Sequence, residues 1–209
     1  MERKLDNKCK QCRRVGEKLF LKGDRCSGPK CAMVKRNYAP GVHGQKGKKR
    51  LSDYGTQLQE KQKAKRYYGL REKQFRLTFE KAAKKTGDAG KNFLKLLESR
   101  LDNVIFRLGF ADSRKQARQL VNHGHFNVDD VKTDIPSFIV KEGQIIKIKK
   151  KSQTSPYFRK LNEKLAKAER PSWLNFDATD LSAKILHEPK DTDLPQSINV
   201  QMIIEYYSK

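Results

Sequence analysis

The apolar positions of this chain follow helical spacing first and strand spacing later. From residue 52 to about 67 the composition is helical, with Ser52 or Asp53 available as the cap. Gly69 stops that helix. On the next one Phe75 and Phe79 stand at i, i+4, and Ala82 and Ala83 continue the face. After a break over residues 87–90, a third helix is expected to start near Asn92. Leu101, Val104, Ile105 and Leu108 then recur at i, i+3, i+4, i+7, one face of a helix that Gly109 ends. Ser113 with Gln116 three residues later is a capping-box pattern. It opens a helix whose stripe is Ala117, Leu120 and Val121, with Gly124 as its stop. Beyond it the period shortens. Val128 and Val131 flank an Asp129-Asp130 turn, and Ile146 and Ile148 alternate with Lys147 and Lys149. The pattern predicts a helix–turn–helix pair on a small sheet within a mainly helical α+β chain.

The two ends lack such periods. Pro40, Gly41, Gly44 and Gly47 break regular structure, and Lys46, Lys48, Lys49 and Arg50 follow as a basic run, which reads as an extended arm or linker. The tail holds the only tryptophan, in "RPSWLNFD", then strand-like pieces and a terminal "INVQMIIEYYSK" that suits a short helix or strand. Four segments are expected: a basic N-terminal segment over 1–45, a helical body over 46–96, the helix-pair module over 97–162, and 163–209 packing back on the body.

Charge sharpens this division. The 209 residues carry a formal +23, distributed as +12 over 1–50, +6 over 51–98, +7 over 99–162 and −2 over 163–209. Ordinary soluble surfaces mix both signs, and repulsion on this scale is a cost unless a polyanion cancels it. Nucleic acid is the partner this balance selects over an anionic membrane, since no basic amphipathic helix stands alone at either end. No apolar run approaches membrane-span length, and "MERKLDNK" is not a secretory leader, so a soluble protein of a reducing compartment is expected. Candidate contacts are Arg100, Arg107, Arg114, Lys115 and Arg118 around the helix turn, where Asp112 is the nearest acid. Lys48, Lys49 and Arg50 of the arm, and Arg13, Arg14 and Arg36 beside the cysteines, complete the set.

All four cysteines lie in "CKQCRRVGEKLFLKGDRCSGPKC", spaced C-x2-C-x13-C-x4-C. Paired thiolates can turn onto one ion, and two pairs complete a tetrahedron. In a reducing compartment this spacing favours a metal over disulfides. Cys9, Cys12, Cys26 and Cys31 are therefore expected to hold one structural Zn2+, closed to water and substrate. An iron–sulfur cluster uses the same ligands and stays open on spacing alone.

These residues also carry a resemblance. "SRLDNVIFRLGFADSRKQARQLVNHGHFNV" resembles the RNA-binding module named after bacterial small-subunit ribosomal protein four. "PGVHG", "LSDYGTQLQEKQKAKRYYGLREKQF" and "RPSWL" resemble flanking segments of that family in the same order, and the four cysteines resemble its zinc-bearing form. The resemblance implies a primary 16S rRNA-binding protein that docks on a helical junction of the 5′ domain and nucleates small-subunit assembly. It also implies contacts with ribosomal proteins five and three near the mRNA entry and the accuracy-determining interface, in the cytoplasmic ribosome. One departure is the Asp129-Asp130 turn, where the family usually has Asn-Gly. The module also occurs in pseudouridine synthases and tyrosyl-tRNA synthetases, but outside it the chain has no glycine-rich phosphate loop, nucleophile motif or convergent carboxylate pair. An enzyme, or a free-standing stress regulator of RNA, is the competing class.

Overall fold

The computed structural model describes residues 7–47, 50–166 and 169–208. The chain divides into two compact units, one of residues 1–75 and 196–209 and one of residues 76–195.

The first unit opens with helices α1 (Lys8–Val15), α2 (Asp24–Ser27) and α3 (Ala32–Lys35), followed by a 3-10 turn over Val42–Lys46. One small cluster at its N-terminal end has Cys12, Val15 and Leu19 buried, with Leu21, Met33 and Tyr67 packed against them. Helix α4 (Asp53–Tyr67) starts where Ser52 accepts the Gly55 N–H at 3.2 Å, so Ser52 is the cap. Gly69 sits at φ +66° beyond its end, a conformation that suits glycine. The C-terminal helix α11 (Val200–Tyr207) packs along α4. Polar groups fasten this pair. Gln57 donates to Glu205 at 2.8 Å, and Lys61 lies 4.4 Å from the Tyr206 ring centre. Lys61 and Lys65 both bond Glu72, at 2.6 and 2.5 Å, and the Tyr207 hydroxyl donates to the same carboxylate.

The division between the units falls within α5 (Glu72–Ala83). Phe75, Phe79 and Ala82 are buried as their spacing required, whereas Ala83 is exposed. Helix α6 (Ala89–Glu98) begins three residues before Asn92, because Asp88 accepts the N–H groups of Gly90 and Lys91 at 2.7 and 3.3 Å. The cap outweighs the helix-breaking tendency of Gly90. Helix α7 (Leu101–Arg107) is separate from α6: Arg100 is extended and bridges Ile139. Helix α8 (Arg114–Asn122) is capped by Ser113, which accepts the Gln116 N–H, while Gln116 in turn accepts from the Asp112 backbone at 3.0 Å. The reciprocal arm of the predicted box therefore falls one residue early.

Strands β1 (Phe126–Val128), β2 (Val131–Lys132) and β3 (Ile145–Ile148) follow, then α9 (Lys150–Gln153), α10 (Pro156–Ala166), β4 (Leu174–Asp177) and β5 (Ser182–Ile185). All five strands form one antiparallel sheet in the order β2-β1-β3-β5-β4. The expected boundary at 162/163 is thus displaced. The tail strands extend the module's own sheet through the Ile146–Ala183 pairing, and only the last residues, including α11, belong with the first unit. Leu101, Val104, Ile105, Leu108, Ala117 and Val121 meet Phe126, Ile146, Ala183 and the fully buried Trp173 in one continuous core.

The Asp129-Asp130 turn is well built despite lacking glycine. Both residues have positive φ, 49° and 63°, which aspartate tolerates better than most. The Asp129 carboxylate accepts the Ile145 N–H at 2.9 Å and the Gln144 side chain at 2.8 Å, and Asp130 pairs with Lys147 at 3.4 Å. The two acids tie the hairpin to β3, which offsets the loss of the usual turn residues.

Candidate nucleic-acid interface

The five basic residues expected around the α7–α8 turn do not form one exposed cluster. Arg100 is 2% exposed, and its guanidinium grips Asp102 through two hydrogen bonds of 3.1 and 2.9 Å. It belongs to the interior, and its expected RNA contact is corrected accordingly. An arginine placed just before a buried helix face, two residues from an aspartate, serves the fold. Arg107 is half-buried and forks onto Glu98 at 2.9 and 3.0 Å, while Glu98 itself is 1% exposed. Asn103 donates to Glu98 at 2.7 Å and accepts from the Arg114 Nε at 2.8 Å. The Arg114 guanidinium also lies 4.5 Å from the Phe106 ring centre.

The buried acids Asp102 and Glu98 thus counter arginines of this group. Three guanidinium groups, those of Arg100, Arg107 and Arg118, meet two buried carboxylates, and Arg114 joins them through Asn103, which leaves a local excess of positive charge held in fixed positions. Its outer members are Lys115, which is exposed, and Arg118, which reaches Asp102 only at 3.8 Å and keeps 35% of its side-chain surface. Both stand on α8, whose apolar stripe faces the core, so both point away from it. The carboxylates orient the arginines.

His123 and His125 extend this edge beyond α8, with ring centres 6.0 Å apart. His125 bonds Ser152 at 2.9 Å; burial first, then His123 and Lys149, hold its imidazole below its usual range. It is a neutral polar group at neutral pH. Lys149, the half-buried residue after β3, also lies at this edge, and its alternation with Ile148 is the sequence signal for it.

In the first unit, Arg14, Arg36 and Arg50 are exposed, as an RNA-facing role requires. Lys48 and Lys49 lie outside the described residues. Arg13 is different: its Nε donates to the Tyr38 carbonyl at 2.9 Å, its Nη2 to the Ala39 carbonyl at 3.3 Å, and its guanidinium covers the Tyr38 ring. It is committed to the protein's own backbone.

Cys9, Cys12, Cys26 and Cys31 are free thiols that line one cavity of about 20 Å3, beside Leu21 and Met33 and the cations Lys22 and Arg25. The Lys22 N–H donates to the Cys26 Sγ at 3.4 Å. Burial pushes the Cys12 thiol up; a backbone hydrogen bond at Leu19 opposes this, and the other three cysteines reinforce it. Among the described residues, no group of three or more His, Cys, Asp or Glu side chains stands in an arrangement that could hold a metal ion. The loop therefore gathers the four sulfur atoms around one small space without closing them into a ligand set. Among the described residues no helix is long and apolar enough to cross a membrane.

A helix pair backed by a sheet, with oriented cations along its outer helix, and a second basic unit with four gathered thiols make a protein whose surface chemistry suits a polyanion. Comparison with known proteins agrees. The family described as ribosomal protein S4/S9 N-terminal domain matches residues 3–98, and the S4 domain matches residues 99–146. The small ribosomal subunit protein uS4 of Acetivibrio thermocellus is 53% identical over 209 residues, covering all of both chains. Those of Clostridioides difficile and Syntrophomonas wolfei are 53% and 50% identical over the same full length. The chain belongs to the uS4 family of small ribosomal subunit proteins.

Proposed function

We propose that this protein is a structural component of the small ribosomal subunit that binds 16S rRNA and has no enzymatic role. The observation that carries this reading is the full-length match to uS4 proteins, joined to a fold in which buried carboxylates hold surplus arginines in place around α7 and α8. Such fixed cations recognise phosphate positions on a folded RNA more than base sequence. The finer reading is a primary binder of a helical junction in the 5′ domain. It nucleates assembly, contacts ribosomal proteins five and three, and contributes to the mRNA entry region and to accuracy. The exposed cations Arg14, Arg36, Arg50 and Lys115, with the partly exposed Arg118, support the RNA part of this reading. The acidic hairpin and the mildly acidic tail give it surfaces suited to protein neighbours.

The four cysteines are read as a structural zinc site. The donor set and its shared cavity support this: four thiols, three of them buried, sit in a segment whose own apolar core has three buried residues. Bound zinc would supply cross-linking of α1 to α2 and to Cys31 at the start of α3, which that core alone is too small to secure. Sedimentation tests the whole proposal. Tagged protein should co-migrate with small subunits at about one copy per particle; a substoichiometric, free-pool distribution would favour a stress regulator or modifying enzyme.

A further inference from the structure

The sequence places Arg13 one residue after Cys12, on the same helix α1. Consecutive helical residues point about 100° apart, so one turn faces two directions. Cys12 turns into the thiol-lined cavity, while Arg13 turns to the 37–47 arm. There it bonds two consecutive carbonyls, Tyr38 at 2.9 Å and Ala39 at 3.3 Å, and stacks 4.7 Å from the Tyr38 ring centre. The arm is closed on itself at the same place. Gly44 is buried and its N–H donates to Gly41 at 3.1 Å; a Cβ on Gly44 would sit 1.8 Å from the Ala39 carbonyl oxygen. The carbonyl that Arg13 holds is thus the one against which the return of the arm packs. A hollow of about 450 Å3, lined by Arg13, Tyr38, Ala39, Asn37 and Gln45, lies alongside.

We propose that Arg13 is a positioning residue. It clamps the 37–47 arm to α1 and so fixes where the basic end of the arm, Lys46 and then Arg50, is presented to RNA. The inference rests on the RNA-binding reading above and reassigns Arg13 from phosphate contact to clamp. It also makes α1 a connecting rod: one side carries Cys9 and Cys12, the other holds the arm.

The test separates clamp from contact by keeping the charge. Arg13→Lys preserves the cation but cannot fork onto two carbonyls while stacking on a ring. In full-length protein, Arg13→Lys and Arg13→Ala should both speed amide hydrogen exchange over residues 37–47 and leave α4 unchanged. Both should weaken binding to a 16S 5′-domain transcript to the same extent, about tenfold, the scale of one charge-assisted hydrogen bond. Gly44→Ala, which removes no charge, should give the same exchange pattern and a comparable loss. Near-wild-type binding by Arg13→Lys beside weakened Arg13→Ala would make Arg13 a direct phosphate contact and overturn the proposal. Unchanged exchange over the arm in the Arg13 variants would overturn it equally. Should the wild type itself fail to bind the transcript, the functional reading falls, while the exchange data still judge the clamp.

Discussion

Arg100→Ala separates a structural arginine from an RNA-contacting one. The pair it breaks is almost wholly inside the protein: the side chains of Arg100 and Asp102 are 3% and 7% exposed, joined by two hydrogen bonds of 2.9 and 3.1 Å. Removing the guanidinium leaves the Asp102 carboxylate with Arg118 at 3.8 Å as its nearest ion-pair partner. Breaking one side of a buried pair costs about 3–5 kcal/mol, mostly the penalty of the abandoned charge. For a chain of this size, at roughly 2–4 °C per kcal/mol, the melting temperature should fall by about 6–20 °C. Trp173 reports the event, being the only tryptophan and fully buried in the same core as Leu101 and Val104. Removing both charges should hurt much less, so Arg100→Met with Asp102→Leu should recover most of the loss. Well below the transition, the salt dependence of RNA binding should be unchanged. A native melting curve with a slope reduced by about 0.7–0.9 would mean that Arg100 touches a phosphate and would refute the reasoning.

Three further outcomes are expected. Lys115→Ala and Arg118→Ala should each weaken rRNA binding by about 1.5–3 kcal/mol at most with a native circular dichroism spectrum, and unchanged affinity in a calorimetric titration counts against the α8 edge. Burial alone would raise the Glu72 carboxyl, but hydrogen bonds and charge from Lys61 and Lys65 outweigh it and hold the group at about 2. A depressed carboxyl stabilises above its ordinary value of 4.5, and that contribution is lost as pH falls from 4.5 towards 2. Glu72→Gln should flatten this part of the acid-unfolding curve; because Glu72 keeps 45% of its side-chain surface, the effect is small, and an identical curve for the variant would exclude it. Replacing Cys9, Cys12, Cys26 and Cys31 by serine, or stripping metal with a chelator, should raise amide exchange across residues 7–47 while Trp173 fluorescence stays native. Metal analysis of anaerobically purified wild type should find one zinc per chain; iron with acid-labile sulfide, or no metal, would defeat the zinc reading.

Periodicity and capping made much of this fold legible in the sequence. The Leu101/Val104/Ile105/Leu108 face, the Ser113 cap and the Ile146/Ile148 alternation each combine a local propensity with a buried outcome, so local and tertiary forces agree. Where they disagree the sequence misleads. Gly90 looked like a break, but the Asp88 cap satisfies its N–H. The tail strands looked like body elements because nothing local reveals that β5 pairs with β3, a long-range hydrogen-bonding choice. The interface was harder to read for a similar reason. Arginine is charged in every context, so its spacing does not tell Lys115 at the surface from Arg100 locked on Asp102. Glu98 and Asp102 decide the matter, and it is their burial, set by tertiary packing, that the spacing does not show. Arg13 was invisible as a clamp because its partners are backbone carbonyls 25 and 26 residues away.

The salt dependence of binding to a 16S 5′-domain transcript tests the central claim most directly. The first 162 residues carry +25, and the proposed reading has the cations outside buried ion pairs meet phosphate. If roughly eight phosphates are neutralised, log affinity should fall against log salt with a slope of about −6 to −7, taking ~0.7–0.9 per contact. Competition with unrelated folded RNA should restore specificity through junction shape. A slope near zero would contradict the account, because binding would then owe nothing to the charge that dominates this chain.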